Sequence, residues 1–210
     1  MAWGPQPHQI GNLALARGGG GATLIARRAY RTVATVSDSV PAKSGWLSCR
    51  AWGGGGGQNP NGVGGSGGTF ARSDINCTPG QQLSIKVTGS NSAPSTTQSS
   101  SVTVDGVLLV SAPTGNSSGD LSLSGAVVLG QVTARGGGYG NSGTNGGVSA
   151  GPGTLDAGGG AGGENNSLDL ILTAGPGSVS TPGGFPGGGG GSNQFGGSGL
   201  VVIEFWSAKP

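Results

Sequence analysis

Blocks of glycine alternate with short strand-like runs along this sequence, and the alternation constrains the fold more than any other feature. Trp46–Trp52 alternates apolar and polar side chains and then leads into five consecutive glycines at 53–57. Further along, the order is reversed, because the glycine-rich residues 196–199 precede the apolar run Leu200–Trp206. Glycine loses more conformational entropy on folding than any other residue, but it also allows close approach of backbones. The pattern therefore predicts a strand scaffold that carries glycine segments.

The composition separates this chain from the usual glycine-rich classes. It holds 50 glycines in 210 residues, but in blocks of variable length, and the absence of a Gly-X-Y period excludes collagen. Aliphatic runs between the blocks, such as residues 83–87, are not typical of disordered linkers. A net charge of +2 argues against a nucleic-acid-binding protein.

Alternating runs separated by turn signals predict a mainly β fold, an antiparallel β-sandwich-like domain with little or no α-helix. Pro79-Gly80 suits the centre of a type II turn and predicts a hairpin between residues 69–77 and 82–87. Asp105-Gly106 suits a type I′ turn and predicts a second hairpin within residues 102–110. Leu200–Trp206 is almost continuously apolar, which is typical of a central strand.

Two conformations of the glycine blocks agree with the sequence. Polyglycine can form extended, polyproline II-like helices (polyglycine II helices) that pack closely and bond laterally through their N–H groups. The blocks can equally be flexible glycine-rich loops. The sequence leaves both alternatives open.

Residues 1–43 differ from the rest and are interpreted as an N-terminal attachment arm, with residues 44–210 as the glycine-rich β domain. Cationic side chains are concentrated in the first fifty residues, and a short helical start is conceivable at 22–30. The candidates for attachment to a partner are Trp3, Arg27, Arg28 and Arg31. No signal peptide and no membrane-spanning run is visible, so we expect synthesis in the cytoplasm and no membrane insertion.

Cys49 and Cys77 lie in strand-like runs on either side of one glycine block. Three states are open: reduced buried thiols, an intrachain disulfide, or a bridge between subunits. Two cysteines and one histidine are too few for a structural zinc site within one chain, so we predict no metal.

No motif indicates catalysis or a cofactor. The single histidine, His8, follows Pro7 in the N-terminal stretch, and nothing in the sequence marks a catalytic partner for it. Residues 62–67 fit the G-x-G-x-x-G pattern, but a β-like run follows where a dinucleotide site needs a helix. We therefore predict a protein that is not an enzyme.

Aromatic residues within or beside the glycine blocks are the strongest candidates for recognition. Trp52 and Phe70 border strand-like runs and are predicted to fill the core between glycine layers. Tyr139, Phe185 and Phe195 are surrounded by small and polar residues and are the candidates for receptor contact.

The order of motifs resembles the glycine-rich domain of bacteriophage tail fibres and related virion surface proteins, over residues 44–206. The resemblance is carried by the run at 49–57, the Thr78-Pro-Gly-Gln81 segment within 77–87, residues 107–112, and the closing run at 197–205. Two features depart from the family pattern: residues 90–101 are rich in Ser and Thr where glycine is common, and Phe205-Trp206 replaces a single terminal Trp. Residues 1–40 match nothing in the family.

The resemblance implies a non-enzymatic virion structural protein, a tail fibre or spike component that displays glycine-rich loops to a host receptor. The receptor would be a host surface glycan or an outer-membrane protein, and the N-terminal arm would dock to other virion proteins. A homo-oligomer, a trimer by analogy, and a place on the virion surface follow from the same resemblance. The alternative is a head fibre, capsid decoration or tail-tip protein without receptor binding.

Overall fold

The computed structural model describes residues 21–57, 68–90, 98–115, 127–128, 131–135, 183–190 and 195–210. Within these ranges the chain forms ten strands and no helix, so none of the described segments is a helix able to cross a membrane. The strands are β1 (Leu24–Tyr30), β2 (Ala34–Ser39), β3 (Trp46–Trp52), β4 (Phe70–Asn76), β5 (Gln82–Val87), β6 (Ser99–Val104), β7 (Val107–Pro113), β8 (Val127–Val128), β9 (Gln131–Arg135) and β10 (Leu200–Trp206).

The strands form two antiparallel sheets, which confirms the predicted fold class. Sheet A has the order β1-β10-β3-β4-β9, and sheet B has the order β2-β5-β6-β7-β8. Apolar side chains of the two inner faces pack together into one core, in the manner of a β-sandwich. In β5, for example, Leu83, Ile85 and Val87 are buried while the three residues that alternate with them are exposed.

The two runs that border the glycine blocks are direct neighbours in sheet A. All seven residues of β3 pair with all seven of β10, from Trp52 with Leu200 to Trp46 with Trp206. β10 also pairs with β1 on its other side, which confirms the prediction of a central strand. The two faces predicted for β3 are confirmed as well, because Leu47, Cys49 and Ala51 belong to the inter-sheet core and Trp52 to a separate cluster.

One predicted hairpin is correct and the other is wrong. Asp105 and Gly106 both have positive φ, 48° and 81°, and join β6 to β7 as a type I′ turn does. The turn at Thr78–Gln81 also forms, with Gly80 at φ 85° and the Gln81 amide donating to the Thr78 carbonyl. It does not join paired strands, however, since β4 lies in sheet A and β5 in sheet B. The residues of the turn reverse the chain locally, but packing in the core determines which strands pair.

The structure differs from the predicted boundary between residues 43 and 44. The run at 24–30 is a strand, β1, rather than the start of a helix, because it satisfies the backbone groups along one side of β10. Residues 34–39 form β2, which pairs with β5 in sheet B. Residues 24–39 therefore provide one strand of each sheet and are not an arm, while residues 1–20 lie outside the described residues.

Cys49 and Cys77 are both buried and unbridged. Asn76 pairs with Trp46, and the Cys77 amide donates to the Gly45 carbonyl, so Cys77 lies four residues along the ladder from Cys49. That offset corresponds to about 13 Å, well beyond the reach of a disulfide. Burial raises the pKa of the Cys77 thiol to about 11 and also raises that of Cys49. The structure therefore excludes the intrachain disulfide and has both thiols free and buried.

Candidate functional site

The strand ends nearest the glycine blocks all meet at one end of the sandwich. Trp52 pairs with both Leu200 and Phe70, so the glycine that follows β3 and the residues that precede β10 and β4 lie side by side. We name the segments 53–57, 68–69, 183–190 and 195–199 the glycine layer. β3, β4 and β10 lead directly into or out of this layer.

Backbone hydrogen bonds join the segments of the glycine layer laterally. The Gly55 amide donates to the Gly197 carbonyl at 2.7 Å, and the Gly197 amide donates to the Gly188 carbonyl at 2.7 Å. Further bonds run from Gly68 to Gly187 at 2.7 Å, from Gly190 to Gly56 at 3.0 Å and from Gly183 to Phe195 at 2.8 Å. The glycines of these segments therefore form an ordered, laterally bonded layer, whereas the blocks at 58–67 and 136–182 lie outside the described residues.

The segments approach so closely that a side chain would collide with backbone. A Cβ built on Gly53 would lie 1.9 Å from the Pro113 carbonyl oxygen, and one on Gly55 would lie 1.9 Å from the Gly188 oxygen. Such distances are far shorter than a van der Waals contact. The close approach explains why these positions carry glycine.

The glycine layer is anchored to both sheets. Trp52 and Phe70 are fully buried beneath it with ring centroids 4.8 Å apart and planes tilted by 48°, which confirms their predicted packing role. On the side of sheet B, the Thr88 hydroxyl accepts from the Gly54 amide at 3.2 Å, and the Thr88 carbonyl accepts from the Gly199 amide at 2.8 Å. Sequence reasoning missed Thr88, whose only signal is its place between a strand and Gly89.

A row of three charged side chains, two buried and one half-buried, lies on the outer face of sheet A, away from the glycine layer. The Glu204 carboxylate accepts hydrogen bonds from Arg27 and, at 3.1 Å, from Arg50. Burial alone would raise the pKa of the Glu204 carboxyl, but the two guanidinium groups outweigh it and hold the pKa below its ordinary value. The sequence signal that could have identified these ion pairs was the single acidic residue within an apolar strand.

Two of the predicted receptor-contact residues project from the glycine layer into solvent. Phe195 is 64% exposed and Phe185 is 42% exposed, and the hydrogen bond between Phe195 and Gly183 brings their segments together. The Arg31 guanidinium lies 5.5 Å from the centroid of the Phe185 ring. Val33 is 55% exposed on the same loop as Arg31. Tyr139 lies outside the described residues.

The predicted attachment residues divide between the sandwich and the glycine layer. Arg27 bonds to Glu204, and Arg28 pairs with Asp38 at 2.5 Å and lies over the Phe205 ring, so both guanidinium groups have partners within the sandwich. Arg31 contacts the glycine layer through Phe185. Trp3 lies outside the described residues.

The first described residues and the last ones lie together at the end opposite the glycine layer. The Thr23 amide donates to the Ser207 hydroxyl at 2.9 Å, and the Ser207 amide donates to the Thr23 carbonyl at 2.9 Å. The hairpin tip with Val107, which is 54% exposed, is at this end as well. The sandwich therefore separates the glycine layer from residues 21–23 and 207–210.

The described side chains do not form a metal site: no three His, Cys, Asp or Glu residues within those ranges are grouped closely enough to hold an ion. The described carboxylates are engaged in ion pairs or turn hydrogen bonds, as Glu204 and Asp105 illustrate. No protein-family model matches the chain, and no curated protein matches it. The functional argument therefore rests on the glycine layer and its exposed rings.

Proposed function

We propose that this chain is a non-enzymatic virion structural protein of a bacteriophage, a tail fibre or spike component that binds a host receptor through its glycine-rich end. The receptor would be a surface glycan or an outer-membrane protein of the host. The opposite end would attach to other virion proteins, with a trimer as the assembly expected by analogy. This proposal places the protein on the virion surface and involves no nucleic acid.

The observation that carries the proposal is the separation of the two ends of the sandwich. Phe185 and Phe195 project from the glycine layer, while residues 21–23 and 207–210 lie at the far end. β3 and β10 are seven-residue strands, which span about 23 Å at the usual rise per residue. A protein fixed by the far end would therefore hold the exposed rings away from its support, as a receptor-binding protein must.

Rigidity of the glycine layer supports the same proposal. The layer has few side chains, so the exposed rings of Phe185 and Phe195 project from a surface made largely of backbone. Its lateral hydrogen bonds fix that surface before any partner binds. A pre-ordered surface avoids part of the conformational entropy cost of binding. Exposed aromatic rings on such a surface are typical of binding hot spots.

We expect replacement of both Phe185 and Phe195 by alanine to reduce binding of the purified full chain to host cells by at least about thirtyfold. The reason is the loss of two exposed rings, and one hot-spot aromatic alone is worth about 2 kcal/mol. Binding is measured with fluorescently labelled protein on intact cells of the host on which the phage is grown. Thermal unfolding of the variant checks that the sandwich is intact.

The matched control is Val107→Ala, which removes an exposed apolar side chain at the opposite end and should leave cell binding unchanged. If the double variant binds cells as tightly as the original chain, receptor contact through these rings is wrong. If the original chain itself neither binds cells nor blocks phage adsorption, the alternative of a head-fibre, decoration or tail-tip protein without receptor binding is favoured.

A further inference from the structure

The loop between β1 and β2 brings a positive charge to the exposed rings of the glycine layer. Arg31 is exposed and its guanidinium lies 5.5 Å from the centroid of the Phe185 ring. A guanidinium over an aromatic face is held by a cation–π interaction, while its N–H groups remain free to point outward to an anion. The arrangement therefore combines a flat apolar face with hydrogen-bond donors suited to carboxylate or phosphate.

None of the described carboxylates pairs with this cation. They are Asp38, Asp74, Asp105 and Glu204, and each lies in the half of the sandwich away from the glycine layer. Arg27, the residue opposite Glu204, is four residues from Arg31, or about 13 Å along the strand. That separation exceeds the screening length of about 8 Å at physiological ionic strength.

Each of these carboxylates is also engaged elsewhere. Asp38 pairs with Arg28, and Glu204 pairs with Arg27 and Arg50. Asp74 pairs with Arg72, and Asp105 accepts from the Gln82 amide. Within the described part of the chain, Arg31 thus has no acidic partner, and Lys86 is a second exposed cation in the half of the sandwich nearer the layer.

We propose that the site formed by Arg31, Phe185 and Phe195 binds an anionic saccharide, a sugar that bears a phosphate or carboxylate group. The rings stack on the apolar face of a sugar, and the Arg31 guanidinium donates to the anionic substituent. The inference rests on the proposed function and narrows it, because it selects a charged glycan over a neutral glycan or a protein receptor. The attraction of the Arg31 cation to negative charge also favours encounter with a negatively charged surface.

The test measures binding of the full chain to immobilised oligosaccharides in three forms: neutral, carboxylated and phosphorylated, with the same sugar backbone. We expect at least one anionic form to bind about tenfold more tightly than the neutral form, and high salt to remove the difference. Free inorganic phosphate serves as a competitor and should be weak, because it offers nothing to the rings. Equal binding of all three forms would overturn the proposal.

Arg31→Gln should abolish the preference for the anionic form, a loss of about tenfold, and leave binding of the neutral form within twofold. The matched control is Lys209→Gln, because Lys209 also lies over an aromatic ring, that of Trp46 at 5.5 Å, but at the opposite end. An unchanged preference in the Arg31 variant, or an equal loss in the Lys209 variant, would contradict the assignment. If the chain binds host cells but no saccharide, this inference fails and the proposed function stands. If it binds neither, both fail.

Discussion

Replacing Gly53 by alanine is expected to lower the free energy of unfolding by about 3 kcal/mol, the upper part of the usual range for overpacking. The added Cβ would lie 1.9 Å from the Pro113 carbonyl oxygen and 2.7 Å from that of Ala112, both of them backbone atoms of β7. No rotation of a side chain can relieve such a contact. The two sheets must separate locally, or the start of the glycine layer must move. Urea unfolding followed by tryptophan fluorescence measures the change.

The control for this prediction is Gly89→Ala, which makes the same change where there is room. A Cβ on Gly89 would meet only the Val33 methyl groups, at 3.6 and 3.7 Å, which is ordinary contact. This variant should be neutral or more stable by up to about 1 kcal/mol, because alanine restricts the unfolded chain. Equal stability of the two variants would show that the close approach at Gly53 is absent in solution.

Replacing Glu204 by glutamine is expected to destabilise the protein by about 3 kcal/mol at neutral pH. Glu204 and Arg50 are both buried and bond at 3.1 Å, so the amide would remove the negative charge from a buried ion pair. Arg27, which is more exposed, loses its carboxylate partner at the same time. Chemical unfolding of the full chain at neutral pH gives the difference.

The ion pairs of Glu204 also make the free energy of unfolding depend on pH. The pKa of Glu204 is lower in the folded protein than its ordinary value of 4.5, so between the two values the unfolded chain binds more protons. The contribution of Glu204 to the free energy of unfolding is therefore complete above pH 4.5 and is lost as the pH falls towards the folded pKa. The original chain should lose stability over this window, and the Glu204→Gln variant should lose less.

Asp105→Asn is the matched control for the change at Glu204. Asp105 lies in the exposed β6–β7 turn, where an asparagine keeps the type I′ conformation and can accept from the Gln82 amide. We expect a change of less than about 0.5 kcal/mol. If Glu204→Gln costs no more than Asp105→Asn at neutral pH, the ion pairs of Glu204 do not stabilise the sandwich.

Strand periodicity and turn chemistry were enough to predict the class of the fold. The alternation in β3 and β5 identified which side chains face the core, and the uninterrupted apolar run of β10 identified a central strand. Asp105-Gly106 correctly predicted the β6–β7 hairpin, because the twist of a type I′ turn matches the twist of the two strands that it joins.

What could not be predicted depends on contacts between residues far apart in the chain. Pro79-Gly80 specifies a turn whether the next strand pairs in the same sheet or crosses to the other, and here it crosses. The sequence of β1 has only a weak strand pattern. It becomes a strand by pairing with β10, about 175 residues away in sequence, so a tertiary contact overrides the local propensity. The contact of Arg31 with Phe185 could not be predicted for the same reason, because the two residues are far apart in the chain.

Amide hydrogen exchange of the full chain, followed residue by residue by NMR, tests the central claim most directly, namely that the glycine layer is an ordered, hydrogen-bonded surface. The amides of Gly55, Gly187 and Gly197 donate to other segments of the layer. We predict that they exchange at least about a hundredfold more slowly than unstructured glycine amides. Exchange at unstructured rates in these glycines, with the amides of β3 and β10 still protected, would contradict the account.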